Sequence, residues 1–338
     1  MVIRPLAKTR ADQRQFVDRT HETRSIMRAV GASQNVLLLG EAGSGRTSLL
    51  NHVAWLLTRQ EQPRDSLLVS GESTANAAQL LGVLVARVQR LVEDARTRGR
   101  WLEDLRALSM PDGPFGEVAR PAIVMELVDL LGEALASVPR AVCLMVDGIS
   151  PAVAHGVFGT LRNELWALQG ASWVVAGDSA AGPLYREPPA DAFFELTVEL
   201  ESLPAGDARR LLRFHAPELG EAEIEQALVV ARGNPRRLLR AATEIQAGAT
   251  PTDSVPRELA EKAEAIAGPL AKRLIEHLAE HGSASASDAT MLRQIGASRQ
   301  RASQLMHQLE SAGLLQTIEL HEPGRRGRPA RRFALKAQ

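Results

Sequence analysis

The sequence predicts an α/β fold: a three-layer sandwich around a parallel five-stranded sheet, then a small helical unit, then a helix-turn-helix with a β-hairpin. Three observations carry this. Apolar runs of strand length alternate with segments whose apolar residues recur at helical spacing, the pattern of a parallel sheet with crossover helices. The first run, Val36–Leu39, enters the glycine-rich turn Gly40-Glu41-Ala42-Gly43-Ser44-Gly45-Arg46-Thr47, and an apolar-periodic helix follows through Leu49, Leu50, Val53 and Leu56. The C-terminal segment reads as three helices and two strands.

Taken in order, residues 1–15 are polar and expected to be partly extended. A helix is expected over His21–Val30 and another from the glycine-rich turn to about Arg59. Ser66–Ser70 is the second strand. Leu80, Leu81, Leu84, Val88, Leu91 and Val92 predict one or two helices within residues 76–107, which the Pro/Gly-rich Met110–Gly116 breaks. Ile123–Ala136 is a further amphipathic helix, Ala141–Val146 a buried strand ending at Asp147, and Phe158–Leu168 a helix. Ser172–Ala176 and Phe194–Leu200 complete the sheet. Asp207–His215, Glu221–Ala231 and Pro235–Ile245 form the small helical unit, with Pro235 opening its last helix after Gly233-Asn234.

Composition sets the outer limits. A chain of 338 residues with 45% hydrophobic content can form two or three packed units. Formal net charge is zero, which gives no global polyelectrolyte role, but residues 282–338 hold nine Lys/Arg against four Asp/Glu. The single cysteine, Cys143, cannot form an intramolecular disulfide and fits a reducing compartment. Met1–Asp18 lacks the apolar stretch of a secretory signal, and no apolar run has the length of a membrane span. The expectation is a soluble, cytoplasmic protein with no membrane partner.

Strand, glycine-rich turn and helix together make a phosphate cradle. Glycines let successive backbone N–H groups converge, and the helix N-terminus adds its positive end. Gly40, Gly43, Ser44, Gly45, Arg46, Thr47 and Ser48 are the candidate nucleotide-binding residues. Thr47 stands where a hydroxyl would hold Mg²⁺, and Arg46 stands where G-x-x-x-x-G-K-[ST] has lysine. Asp147, an acid at the end of a buried strand, is the second candidate Mg²⁺ ligand. Gly148 follows it, where a hydrolysing protein usually carries a second acid. Asp147-Gly148 is also a common turn pair. Arg236 projects from the first turn of a helix, where the dipole prefers an acid, and is compatible with an anionic ligand.

These motifs together resemble AAA+ and related STAND-type P-loop NTPases, most closely in layout the origin-recognition group and bacterial ATPases fused to winged helices. Phe16-Val17-Asp18-Arg19 with Glu22 resembles the F-V-G-R-x-x-E box that contacts the adenine side. Gly40–Thr47 matches Walker A, Val142–Asp147 Walker B, and Gly233–Arg236 the sensor 2 G-N-P-R of the lid. Asp178 falls at the sensor 1 position, and Arg186 is a candidate arginine finger by position alone. The resemblance covers about Phe16–Gly248. It implies ATP or ADP with Mg²⁺ as cofactors. Asp18, Arg46, Gly148 and Asp178 depart from the family pattern, so hydrolysis is expected to be slow or absent.

The domains expected are a core over 1–200, a helical lid over 201–250, a linker over 251–265 and a winged-helix domain over 266–338. In the last, Pro269–His281, Ser287–Ile295 and Arg299–Ala312 are helices, with Ser298 as N-cap and Gly313 as C′ of the third. Leu314–Leu320 and Arg331–Leu335 are strands flanking His321–Ala330. Arg299, Gln300, Arg301 and Gln304 lie at the start and outer side of the third helix, where major-groove contacts arise. Arg325, Arg326, Arg328 and Arg331 make the wing basic, and Arg326-Gly327-Arg328-Pro329 resembles an AT-hook core. Double-stranded DNA is therefore the expected partner, with protein contact through the same domain or a homo-oligomer as alternatives. Three functions remain open: a nucleotide-switched DNA-binding protein, a turning-over ATPase acting as loader, remodeller or defence effector, and a pseudo-ATPase adaptor. His277 and His281, spaced i, i+4, lack a third metal ligand.

Overall fold

Each strand of the main sheet sends alternate side chains to opposite faces, and the two faces bury separate cores. In a computed structural model, which describes residues 4–92, 121–251, 255–320 and 330–335, β1 (Val36–Gly40), β2 (Asp65–Ser70), β3 (Val142–Asp147), β4 (Ala171–Asp178) and β5 (Leu196–Leu200) pair in parallel in the order β2-β3-β4-β1-β5. Val36, Leu38, Cys143, Met145, Val174 and Ala176 face α1 (Thr20–Gly31) and α2 (Arg46–Leu57). Leu37, Leu39, Leu144, Val146, Trp173 and Val175 face α3 (Ala77–Val88) and α4 (Pro121–Ala136). The runs Val36–Leu39, Val142–Val146 and Trp173–Ala176 are therefore apolar at every position, because both faces are covered. Burying each such aliphatic side chain contributes about 1.5–3 kcal/mol. Cys143 lies wholly inside, where burial pushes its thiol up to about 12.

The five expected strands are present with ends shifted by one or two residues. Phe158–Leu168 differs more. Its backbone is a short helix at Pro151–Ala154, a π-turn over His155–Gly159 and a second short helix, Arg162–Trp166. The π-turn carries Phe158 against Trp173, Phe193 and Phe194, at ring-centroid distances of 5.4, 4.9 and 5.5 Å. Within residues 1–15, Arg10–Gln13 is helical with Thr9 as N-cap. The predicted helix of residues 76–107 continues beyond α3 as a 3₁₀ turn, Gln89–Leu91, and its remainder lies outside the described residues.

Three helices, α5 (Ala205–His215), α6 (Glu221–Ala231) and α7 (Pro235–Gln246), follow the sheet. The chain divides into two compact units, Met1–Leu228 with Arg232–Thr243, and Val229–Ala231 with Glu244–Gln338. Core and lid thus share one unit, joined by bonds such as Arg236 N–H to Gly43 O at 3.3 Å.

The second unit contains α8 (Val255–Ala267), α9 (Pro269–His281), β6 (Ser283–Ala284), α10 (Ala289–Ile295), α11 (Arg299–Ser311), β7 (Leu315–Leu320) and β8 (Ala330–Leu335). This is the element order expected for a winged helix-turn-helix, with β6 as an added strand beside β8. Residues 251–265 were expected as a linker, but α8 places Leu259, Ala260 and Ala263 in the same core as Leu274, Leu305 and Leu309. Their i, i+1, i+4 spacing puts all three on one face of the helix, which packs rather than links. No helix among the described residues is long and apolar enough to cross a membrane.

Candidate functional site

The phosphate loop leaves β1 and enters α2 through two left-handed glycines, Gly43 at φ +86° and Gly45 at φ +99°. Gly43 also has no room for a side chain, since a Cβ there would lie 2.7 Å from Asn234 Oδ1 and 2.8 Å from Arg236 Cβ. The lid motif sits directly on this loop. Arg236 N–H donates to Gly43 O at 3.3 Å, and Asn234 Nδ2 donates to Ala42 O at 3.0 Å. Arg237, next in sequence, is buried and forms an ion pair with Glu41. The resemblance singled out Arg236, yet its neighbour makes the structural lock.

A cavity of about 450 Å³ opens over the loop. Gly43, Ser44, Gly45, Arg46, Thr47 and Ser48 line it, with Asp147 and Arg236, whereas Gly40 does not. Thr47 Oγ1 donates a hydrogen bond to Asp147 Oδ2, which joins the two predicted Mg²⁺ ligands across the strand ends. Ser48 is engaged elsewhere, because its hydroxyl accepts from Leu6 N–H at 3.0 Å. Arg46 lies along Gly40, and its Nη1 is buried without a hydrogen-bond partner among the described residues, as is Ser44 Oγ. Buried donors are normally paired, so orphans in a glycine-rich loop fit an anion with several acceptor oxygens. Thr47 and Asp147 offer the hard oxygen donors that Mg²⁺ takes. The donor set therefore fits a Mg²⁺–nucleotide.

Phe16 and Val17 also line the cavity, with Leu203, Leu211 and His215. Burial lowers the pKa of His215, which favours its neutral form against an apolar ring. Asp18 has φ +63°, a left-handed conformation that explains why the family pattern has glycine there and why aspartate is tolerated. Arg19 is buried and donates to Glu22 Oε1 at 3.0 Å and to Glu201 O at 2.6 Å, so it braces the box instead of facing solvent.

Asp178 does not line the cavity. Its Oδ1 accepts from Ala180 N–H at 3.0 Å and caps a 3₁₀ turn. Arg186 forms an ion pair with Glu199 at 3.4 Å. Sequence reasoning missed Glu72, which lines the cavity beside Asp147.

In the second unit, Arg299, Gln300, Arg301 and Gln304 are exposed on α11, while Ala302, Leu305, Met306 and Leu309 are buried behind them. Ser298 caps the helix by accepting from Arg301 N–H at 3.3 Å. Neither Arg299 nor Arg301 forms an ion pair with any described residue. Arg325, Arg326 and Arg328 lie outside the described residues, as does the side chain of Arg331. His277 is buried and stacks on His281 at 4.2 Å, which accounts for their spacing by packing. Among the described residues no group of three or more His, Cys, Asp or Glu could hold a metal ion.

Solved structures share this architecture. The Aeropyrum pernix ORC1 protein, solved in complex with DNA, superposes with a TM-score of 0.58 at 15% identity, covering 96% of this chain and 90% of that one. The ORC2 protein of the same organism, solved as ADPNP–ADP complexes, gives 0.51 at 13% identity, covering 94% and 89%. The chain therefore shares the P-loop fold of these two ORC proteins. No protein-family model matches the chain, and no curated protein matches it by sequence.

Proposed function

We propose that the chain is an adenine-nucleotide-binding, DNA-binding AAA+-like protein in which the nucleotide state controls DNA or partner binding, with slow hydrolysis. The observation that carries the nucleotide site is the pair of buried polar atoms, Arg46 Nη1 and Ser44 Oγ, that find no hydrogen-bond partner among the described residues, in a loop that shares its cavity with Thr47, Asp147 and Arg236. Thr47 and Asp147 would hold Mg²⁺, which neutralises charge on the transferring phosphoryl group. Arg46 and Arg236 contribute permanent cations, and Phe16 and Val17 form an apolar wall for a base. The ORC2 relative in fold was solved with ADPNP and ADP, which supports this class of ligand.

Two tests apply. Calorimetric titration of the purified protein with ATP and ADP in Mg²⁺ is expected to show binding, and failure of both at millimolar concentration would remove the site. Arg46→Lys is expected to preserve that binding and to raise turnover several-fold, because an ammonium concentrates its charge where the broad guanidinium must be accommodated. A complete loss of binding in this variant would show that the loop is shaped around arginine.

Support for DNA comes from Arg299 and Arg301 at the start of α11, exposed and ion-paired with no described residue, and from the ORC1 relative in fold, solved with DNA. Duplex binding by the full-length protein is expected to weaken steeply with salt. Arg325→Ala/Arg326→Ala/Arg328→Ala should weaken all duplexes alike and flatten the salt slope. Arg299→Ala or Gln300→Ala should instead change sequence preference, each lost base contact costing about 1–3 kcal/mol. Equal low-salt affinity of wild type and the wing triple variant would favour a protein partner for this domain.

A further inference from the structure

Gly148 removes the acid that usually follows the strand-end aspartate, but the space beside it holds a carboxylate from elsewhere in the chain. β2 and β3 are in parallel register with Ser70 opposite Asp147, and Gly71 N–H donates to Asp147 O at 2.7 Å. The backbone leaving β2 thus runs against the backbone leaving β3. Two residues past the end of β2 stands Glu72. A Cβ built on Gly148 would lie 2.6 Å from Glu72 Cγ, 3.2 Å from Cδ and 3.0 Å from Oε1. Glu72 therefore fills the volume that a side chain at position 148 would enter.

The turn that presents Glu72 is pinned. Thr74 donates to Gly71 O from both its backbone N–H, at 3.1 Å, and its hydroxyl, at 2.7 Å. Thr74 is itself buried, while Glu72 stays exposed and lines the same cavity as Thr47 and Asp147. Gly148 has φ +72°, so a side chain there would be strained as well as obstructed. An acid donated by the neighbouring strand and a glycine at 148 are mutually consistent, since the carboxylate in this position occupies the space a side chain at 148 would take.

We propose that Glu72 is the catalytic carboxylate of this site, accepting the proton of the water that attacks the γ-phosphate of ATP. In that step the water oxygen bonds to the γ-phosphorus. The bond from the γ-phosphorus to the β,γ-bridging oxygen breaks, with its electron pair leaving on ADP. The water proton passes to Glu72. This assignment rests on the nucleotide-site reading above and identifies the residue that sustains its slow hydrolysis.

The test compares full-length wild type with Glu72→Gln and Glu72→Ala, using γ-labelled ATP and Mg²⁺. A positioned general base contributes about 10²–10⁴-fold, so single-turnover hydrolysis by either variant should fall at least about 100-fold. ATP affinity, read by equilibrium binding, should stay within about twofold, because among the described residues no hydrogen bond or ion pair joins Glu72 to the phosphate loop. Protein incubated with ATP and rapidly desalted should carry ADP in wild type and ATP in Glu72→Gln, a readout of bound nucleotide that does not depend on steady-state turnover. Unchanged melting temperatures would show that the exposed side chain is not needed for folding. Wild-type hydrolysis by Glu72→Gln would overturn the assignment, and so would a wild type that binds ATP without ever converting it. Failure of wild type to bind ATP would instead sink the nucleotide-site reading itself.

Discussion

Asp147→Asn is expected to lose the Mg²⁺-dependent tightening of ATP binding, by about 100-fold or more. Altering even an outer partner of a metal site typically costs about 10–100-fold, and a direct ligand should cost no less. Asparagine keeps the shape and can still accept the hydrogen bond from Thr47 Oγ1, so the strand end should hold. It lacks the negative charge that Mg²⁺ requires of a carboxylate ligand. Fluorescent-nucleotide titration in Mg²⁺ and in EDTA separates the two contributions. Wild type should bind far more tightly with Mg²⁺, whereas Asp147→Asn should bind about equally in both. A variant that kept the full Mg²⁺ effect would place the metal elsewhere.

Arg237→Ala is expected to destabilise the first unit by about 3 kcal/mol, the low end of the range for removing one partner of a buried ion pair. The low end applies because Glu41 keeps some contact with water, its side chain being 23% exposed against 5% for Arg237. For a unit of this size that corresponds to a melting temperature lower by roughly 6–12 °C. Replacing Glu41 and Arg237 together, as Glu41→Gln/Arg237→Met, should cost clearly less than the sum of the single changes, since no charge is then left without its partner. The two residues also join the phosphate loop to the first turn of α7, so Arg237→Ala should weaken ATP binding too. Additive single and double effects would show that Glu41 and Arg237 act independently.

Much of this molecule was legible in its sequence. Runs such as Val36–Leu39 and Val142–Val146 are apolar at every position because each strand is covered on both faces, and that composition alone places them at the centre of a parallel sheet. The phosphate loop was equally legible, because a strand, closely spaced glycines and a helix start are local features fixed by backbone geometry. Thr47 and Asp147 could be nominated for the same reason, each standing at a defined strand or helix end. Arg299, Gln300, Arg301 and Gln304 could be placed on the outer side of a helix capped by Ser298, and Ala302, Leu305 and Leu309 are buried behind them.

What the sequence left open depended on residues far apart in the chain. That β2 lies beside β3 is a pairing between residues 65–70 and 142–147, and no local pattern records it. Without that pairing, Glu72 is an acid in a loop and Gly148 is a simple loss. With it, the two become complementary. The same holds for Arg237, whose partner Glu41 is nearly two hundred residues earlier, so that helical spacing could not distinguish it from Arg236. The π-turn at His155–Gly159 brings Phe158 against Trp173 of β4, Phe193 and Phe194, contacts that local helical spacing does not record. Local propensity determined which elements form in this protein. Only tertiary pairing decided which of its charged residues meet, because charge–charge contacts and backbone close approach depend on distances across the fold that sequence separation does not encode.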